Sequence, residues 1–206
     1  MSESDYDVIV FDLGGVLIET AGVARMLELL GEGVTAEELW RRWLSAASVR
    51  DFESGRIGPE RFALAICAEF ALDITPEQFL AEFTTWARDL YPGALLMIEE
   101  LSGTHRLACL SNTNALHWTH IDATTDLLPF FAHRFASHEI GLLKPDAEIF
   151  HHLIEQLGVP PGRILFFDDN RINVEAARAV GIAAYRAEGP EEVREVLREK
   201  GIGNRE

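Results

Sequence analysis

An apolar, β-branched run, Val8-Ile9-Val10-Phe11, stops on a carboxylate, Asp12, and Gly14-Gly15 follow almost at once. A short run of this kind makes a strand buried on both faces. The two glycines let the backbone turn sharply or come close to a ligand. In an open α/β sheet, ligands bind beyond the carboxyl ends of the strands. Asp12 is therefore placed for chemistry if the rest of the chain builds such a sheet, and is an ordinary strand-ending acid if it does not.

The chain after Tyr91 does build one. Helical patterns over 92–103, 146–157 and 190–200 alternate with short apolar runs at 106–110, 131–137, 163–167 and 182–185. Ser111-Asn112 follows the first of these runs and opens a helix. Asp168-Asp169-Asn170 follows the third and opens another, to about Val180. Alternating strand and helix predicts a parallel sheet with helices on both faces. Between Thr20 and Leu90 no strand is expected. Apolar residues recur there at helical spacing, in four helices marked by Val23–Leu30, Thr35–Leu44, Gly58–Phe70 and Thr75–Trp86. The expected fold is α/β: a doubly wound parallel sheet from residues 1–18 and 91–206, with a helical cap, 19–90, inserted after the first strand and lying over the carboxyl ends.

Composition narrows the partners. A formal net charge of −16 repels a phosphate backbone, so nucleic acid is not expected as a ligand. No apolar stretch approaches the roughly 18 residues that span a bilayer, and no basic region followed by an apolar core opens the chain. Cys67 and Cys109 sit in apolar runs without metal-ligand spacing and read as buried small hydrophobes of a reducing compartment. The expected location is cytoplasmic, with no obligate protein partner evident. The seven histidines show no recurring metal spacing.

The parallel sheet brings Asp12, Ser111 with Asn112, and Asp168 with Asp169 to one edge, with Lys144-Pro145 in a loop nearby. Adjacent acids repel each other unless a cation sits among them. Three carboxylates offer hard oxygens that suit Mg²⁺, which also takes phosphate oxygens and water. A bound cation reverses the local charge, so phosphate can enter an otherwise acidic protein. Lys144 can neutralise a phosphate oxygen, the Ser111 hydroxyl and nearby N–H groups can hydrogen-bond it, and Asp12 can attack phosphorus to give an aspartyl-phosphate.

On these residues the chain resembles the haloacid dehalogenase superfamily. Four motifs appear in order: D-L-G-G-V at 12–16, Ser111 within L-S-N-T-N, Lys144-Pro145, and F-F-D-D-N at 166–170 with Asn173 following. The resemblance implies a Rossmann-like core with a cap and a Mg²⁺-dependent phosphatase acting on a small phosphorylated metabolite. It implies Asp12 as nucleophile, Asp12, the Gly14 carbonyl and Asp169 or Asp168 at the metal, and Ser111, Asn112, Lys144 and Gly15 around the phosphate. The segments Asp51–Ile57 and Leu110–His117 look most like a subgroup of sugar-phosphate phosphatases, one member of which acts on α-D-glucose 1-phosphate. A sugar phosphate is thus the expected substrate class.

One position departs from the pattern. Most phosphatases of this superfamily carry an aspartate two residues after the nucleophile, where it serves as acid and base. Here the residue is Gly14. General acid–base help is typically worth about 10²–10⁴-fold. Three readings stay open. A cap residue (Glu19 or Glu53) or a water replaces it, the leaving group needs little help, or the chain is a non-catalytic phosphometabolite-binding protein. A metal-independent 2-haloacid dehalogenase is the further alternative, and the Asp168-Asp169 pair speaks against it.

Overall fold

The computed structural model describes residues 5–203. Strand β1 (Val8–Phe11) is completely buried. Its side chains alternate between two apolar layers, Ile9 and Phe11 on one side and Val8 and Val10 on the other. That explains why it reads as an unbroken apolar run. After Asp12 the chain turns through Gly14-Gly15 into a short strand, β2 (Ile18–Thr20). Five helices follow: α1 (Gly22–Leu30), α2 (Ala36–Ser45), α3 (Ala47–Glu53), α4 (Pro59–Phe70) and α5 (Pro76–Phe83). Thr35 caps α2 by accepting from the Glu38 N–H, and Thr75 and Gln78 form a reciprocal capping box on α5.

The chain returns through β3 (Ala87–Leu90), which pairs antiparallel with β2, Ile18 opposite Leu90 and Thr20 opposite Ala87. The expectation that residues 20–90 hold no strand is corrected here. Arg88 and Asp89 are exposed charges, and this two-stranded ribbon forms through a partner some 70 residues away, which local periodicity cannot show. Helix α3 is also absent from the sequence reading. Its seven residues are too few to display a 3.6-residue period. The fourth helix stops at Phe83, so Trp86 sits in the turn beyond it.

From there strand and helix alternate as expected. Helix α6 (Ala94–Ser102) leads to β4 (Arg106–Ser111), then α7 (Ala115–Thr124), β5 (His133–Ala136) and the single turn α8 (Ser137–Ile140). Helix α9 (Ala147–Leu157), β6 (Ile164–Asp168), α10 (Arg171–Ala179), β7 (Ala183–Arg186) and α11 (Gly189–Glu199) complete the chain. The main sheet is wholly parallel, in the order β5-β4-β1-β6-β7. Helices α6, α7 and α11 cover one face, and α9 and α10 the other. This is the expected doubly wound α/β architecture. Among the described residues no helix is long and apolar enough to cross a membrane.

The helical block between β2 and β3 has its own apolar cluster. At its centre Phe62, wholly buried, stacks on Phe52 at 4.2 Å between ring centroids and meets Phe83 and Phe79 edge-on at 5.1 and 5.8 Å. Phe62→Ala removes the shared partner of three rings and should lower unfolding stability by about 3–5 kcal/mol. Urea denaturation checks this, and a loss under ~1 kcal/mol would show that the block does not depend on that ring.

Candidate active site

In the order β5-β4-β1-β6-β7 the chain steps outward from β1 on one side, then crosses to the other, so the switch point lies between β1 and β6. Asp12 follows β1 and Asp168 closes β6, so the two acids flank the switch. Carboxylate oxygens of Asp12, Asp168 and Asp169 lie within 4.8 Å of one another. Lys144, 1% exposed, reaches between them, its Nζ 2.6 Å from Asp168 Oδ2 and 3.0 Å from Asp12 Oδ2.

The three acids differ in how fully they are engaged. Asp168 is completely buried. Besides Lys144 it accepts from the Asn173 amide at 3.0 and 3.1 Å and from the Asn170 backbone N–H at 2.9 Å. The Asp12 Oδ1 accepts from the Leu13 N–H at 2.7 Å. The Asp169 carboxylate is only partly buried and accepts no hydrogen bond from a described residue. Burial, opposed by Lys144 and reinforced by the Asp168 charge, pushes the Asp12 carboxyl up to about 7. Burial and the charges of Asp168 and Asp12 push Asp169 up to about 8. Burial disfavours the Lys144 charge, yet Asp12 and Asp168 outweigh it and hold the ammonium well above its usual range. Lys144 pairs with two of the three acids and leaves Asp169 without a cation partner among the described residues. Hard oxygens at this spacing suit a small divalent metal ion.

Two of the expected phosphate holders have further contacts. The Asn112 side chain donates to the Lys144 carbonyl at 2.8 Å and accepts from the Lys144 N–H at 2.9 Å, so it clamps the lysine's backbone. The Gly15 N–H donates to the Ile18 carbonyl at 2.8 Å and is not free for an anion. Gly15 serves by having no side chain. Its φ is +75°, and a Cβ there would lie 2.5 Å from Asp169 Oδ2. Ser111 and Gly14 both line the cavity above Asp12, as do Asn112, Lys144 and Asp169.

That cavity, about 170 Å³, is closed on its far side by the helical block. Of the two acids considered as replacements at Gly14, Glu53 lines it and Glu19 does not. Glu53 ends α3, is 9% exposed, and accepts from Trp43 Nε1 at 3.3 Å. Burial pushes its carboxyl up to about 7 against the pull of the Trp43 N–H and the Lys144 charge. Its position is set two residues on. Gly55 has φ +74°, and a Cβ there would come within 2.4 Å of the His138 carbonyl, so only glycine lets this turn rest on α8. Arg50 of α3 pairs with Asp146 just before α9. The His117 Nε2, 2.7 Å from the Phe83 carbonyl, must carry the proton there, and Nδ1 accepts from the Asn114 amide, so α7 is tied to the end of α5. Trp43, Trp86, Thr20 and His117 line the cavity without having been singled out as site residues; only D-F-E-S-G-R-I, a carboxylate just before a glycine turn, marked the region.

Known proteins resemble this chain in sequence and in fold. The haloacid dehalogenase-like hydrolase profile matches residues 6–181. A D-ribitol-5-phosphate phosphatase of Bacteroides thetaiotaomicron is 22% identical over 92% of this chain and 95% of its own. A sesquiterpene phosphatase of Aspergillus oryzae is 26% identical over 86% and 87%. An (S)-2-haloacid dehalogenase of Xanthobacter autotrophicus is 28% identical over 86% and 73%. A haloacid dehalogenase-family enzyme of Bacteroides thetaiotaomicron, solved as a magnesium complex, superposes with a TM-score of 0.73 at 23% identity, covering 94% of this chain and 99% of that one. The chain belongs to the haloacid dehalogenase-like hydrolases, as its four ordered motifs anticipate.

Proposed function

We propose that this protein is a Mg²⁺-dependent phosphomonoesterase that hydrolyses a small phosphorylated metabolite through an aspartyl-phosphate on Asp12. The observation that carries this is the meeting of Asp12, Asp168 and Asp169 within 4.8 Å around one buried lysine. Asp12, Asp169 and the Gly14 carbonyl would hold the metal, which when bound supplies positive charge against the phosphoryl oxygens. Asp168, held by Lys144, Asn170 and Asn173, acts as the anchor that aims Lys144. Ser111 and Lys144 hold the phosphate, and Asn112 fixes the loop that carries Lys144.

In the first step Asp12 forms a bond to phosphorus while the ester P–O bond breaks and its electron pair leaves on the alcohol oxygen. Glu53, protonated, donates to that oxygen in place of the side chain missing at Gly14. In the second step water attacks phosphorus, its proton passes to the Glu53 carboxylate, and Asp12 is released with inorganic phosphate. Support for Glu53 is its place in the cavity wall and the Trp43 N–H that orients it. A metal-independent dehalogenase, attacking carbon, has no use for the unengaged carboxylate of Asp169. A binding protein has none for a second, poised acid.

Purified protein with Mg²⁺ should release phosphate from a panel of monophosphates, lose that activity on chelation and regain it when Mg²⁺ is restored. Asp12→Asn should reduce turnover by at least ~10³-fold with an unchanged fold by circular dichroism. Chelator-insensitive halide release from a 2-haloacid, or full activity in the variant, would overturn the reading.

Glu53→Gln separates the acid from the nucleophile. Turnover of alkyl phosphates should fall by ~10²-fold or more. The first-turnover burst from 4-nitrophenyl phosphate should survive, because that leaving group needs no proton. The Glu53 carboxyl, raised to about 7, is protonated below that pH and ionised above it. For alkyl phosphates kcat/KM should therefore decline above about pH 7 in the parent, and that decline should vanish in Glu53→Gln. Equal losses on both substrates with an unaltered pH profile would remove Glu53 from the acid role.

A further inference from the structure

The cavity above Asp12 has two unlike walls. The sheet side presents Ser111, Asn112, Lys144 and Asp169. The opposite wall, from the helical block, is built of hydrocarbon and aromatic surface, with Val23, Met26, Leu39, Trp40, Leu44 and Trp86 among its members. Across the stretch 20–87 the lining residues with side-chain oxygen are Thr20 and Glu53 among those described. The Trp43 N–H is already committed to Glu53. The indole N–H groups left over are those of Trp86, buried and without a partner, and of the half-buried Trp40. A phosphate seated at Asp12 must direct its organic portion toward this wall.

A sugar or polyol there would lose water from several hydroxyls and find few groups to replace it. Buried polar groups left unpaired weaken binding, whereas apolar surface gains from the same transfer. We infer that the substrate is the monophosphate of an apolar alcohol, aliphatic or aromatic, rather than of a polyol. The inference rests on the phosphatase reading above and replaces the sugar phosphate suggested by the motif resemblance.

The test compares primary phosphates whose leaving alcohols are of similar acidity: n-butyl, n-hexyl and n-octyl phosphate and 3-phenylpropyl phosphate against glucose 6-phosphate and ribitol 5-phosphate, all with Mg²⁺. The kcat/KM for hexyl phosphate should exceed that for either polyol by at least ~10-fold. Along the alkyl series it should rise by up to roughly fourfold per methylene until the wall is filled, mainly through KM. Val23→Asn and Trp40→Gln, both at half-buried positions, should move the hexyl-to-glucose ratio toward unity. That ratio is internal to each preparation and does not depend on the fraction folded. A polyol preference, or no dependence on chain length, would overturn the apolar assignment and leave the phosphatase reading standing. Phosphate release from none of these and none from 4-nitrophenyl phosphate would overturn both.

Discussion

Everything at the carboxyl edge of the sheet depends on the ammonium of Lys144 between Asp12 and Asp168. A lysine 1% exposed is tolerated only because two carboxylates face it, and they outweigh the loss of hydration. Two carboxylates at a strand edge are tolerated in turn because the lysine separates their charges. The arrangement is stiff because its members are braced by further hydrogen bonds. Asn112 grips the lysine's backbone at both N–H and C=O, and Asn170 and Asn173 saturate Asp168. Asp12 and Asp169 are left with unused lone pairs aimed at one space. Of two adjacent acids in F-F-D-D-N, one is structural and one is available, and burial makes the difference.

The same logic extends across the cavity. Glu53 belongs to an element tied to the sheet layer at separate points: the Gly55 turn on the His138 carbonyl, Arg50 on Asp146, and His117 on the Phe83 carbonyl. Each tie joins the helical block to a segment at the carboxyl edge of β4 or β5 or just before α9. These links fix where Glu53 stands relative to Asp12 better than the β2–β3 ribbon alone, which joins the two parts at one corner.

The polar strand-end residues were legible in the sequence because a buried parallel strand is an apolar run, and its end is marked by the first polar residue. That covers Asp12, Ser111 and Asp168. Lys144 was legible only through the order of motifs, since a lysine in a loop has no local signature of burial. What periodicity could not show were the features made by distant partners. The ribbon of 18–20 with 87–90 is one. The grip of the Asn112 side chain on the backbone of residue 144 is another, 32 positions away. Gly15 looked like an anion-binding glycine, and its value is the space it leaves for Asp169, a contact set by β1 lying beside β6. Glu53 was one of two acids that sequence could not rank. Burial in the cavity wall ranks them.

Gly14 then has a physical setting. A Cβ at that position would stand 3.1 Å from the Thr20 methyl, so a side chain there requires Thr20 to give way by a few tenths of an ångström. In the proposed mechanism the acid comes from the opposite wall, from Glu53. A carboxyl carried by α3 is surrounded by whatever lines that side. Here the surroundings are aromatic and aliphatic, and burial is the dominant reason the Glu53 carboxyl is held near neutrality, where it can both donate and accept a proton. A polar wall that hydrated Glu53 would return it to the ordinary carboxylate range and leave it a poor acid at neutral pH. The apolar lining and the raised Glu53 carboxyl thus go together, and the apolar substrate inferred above is the ligand class that would leave both intact.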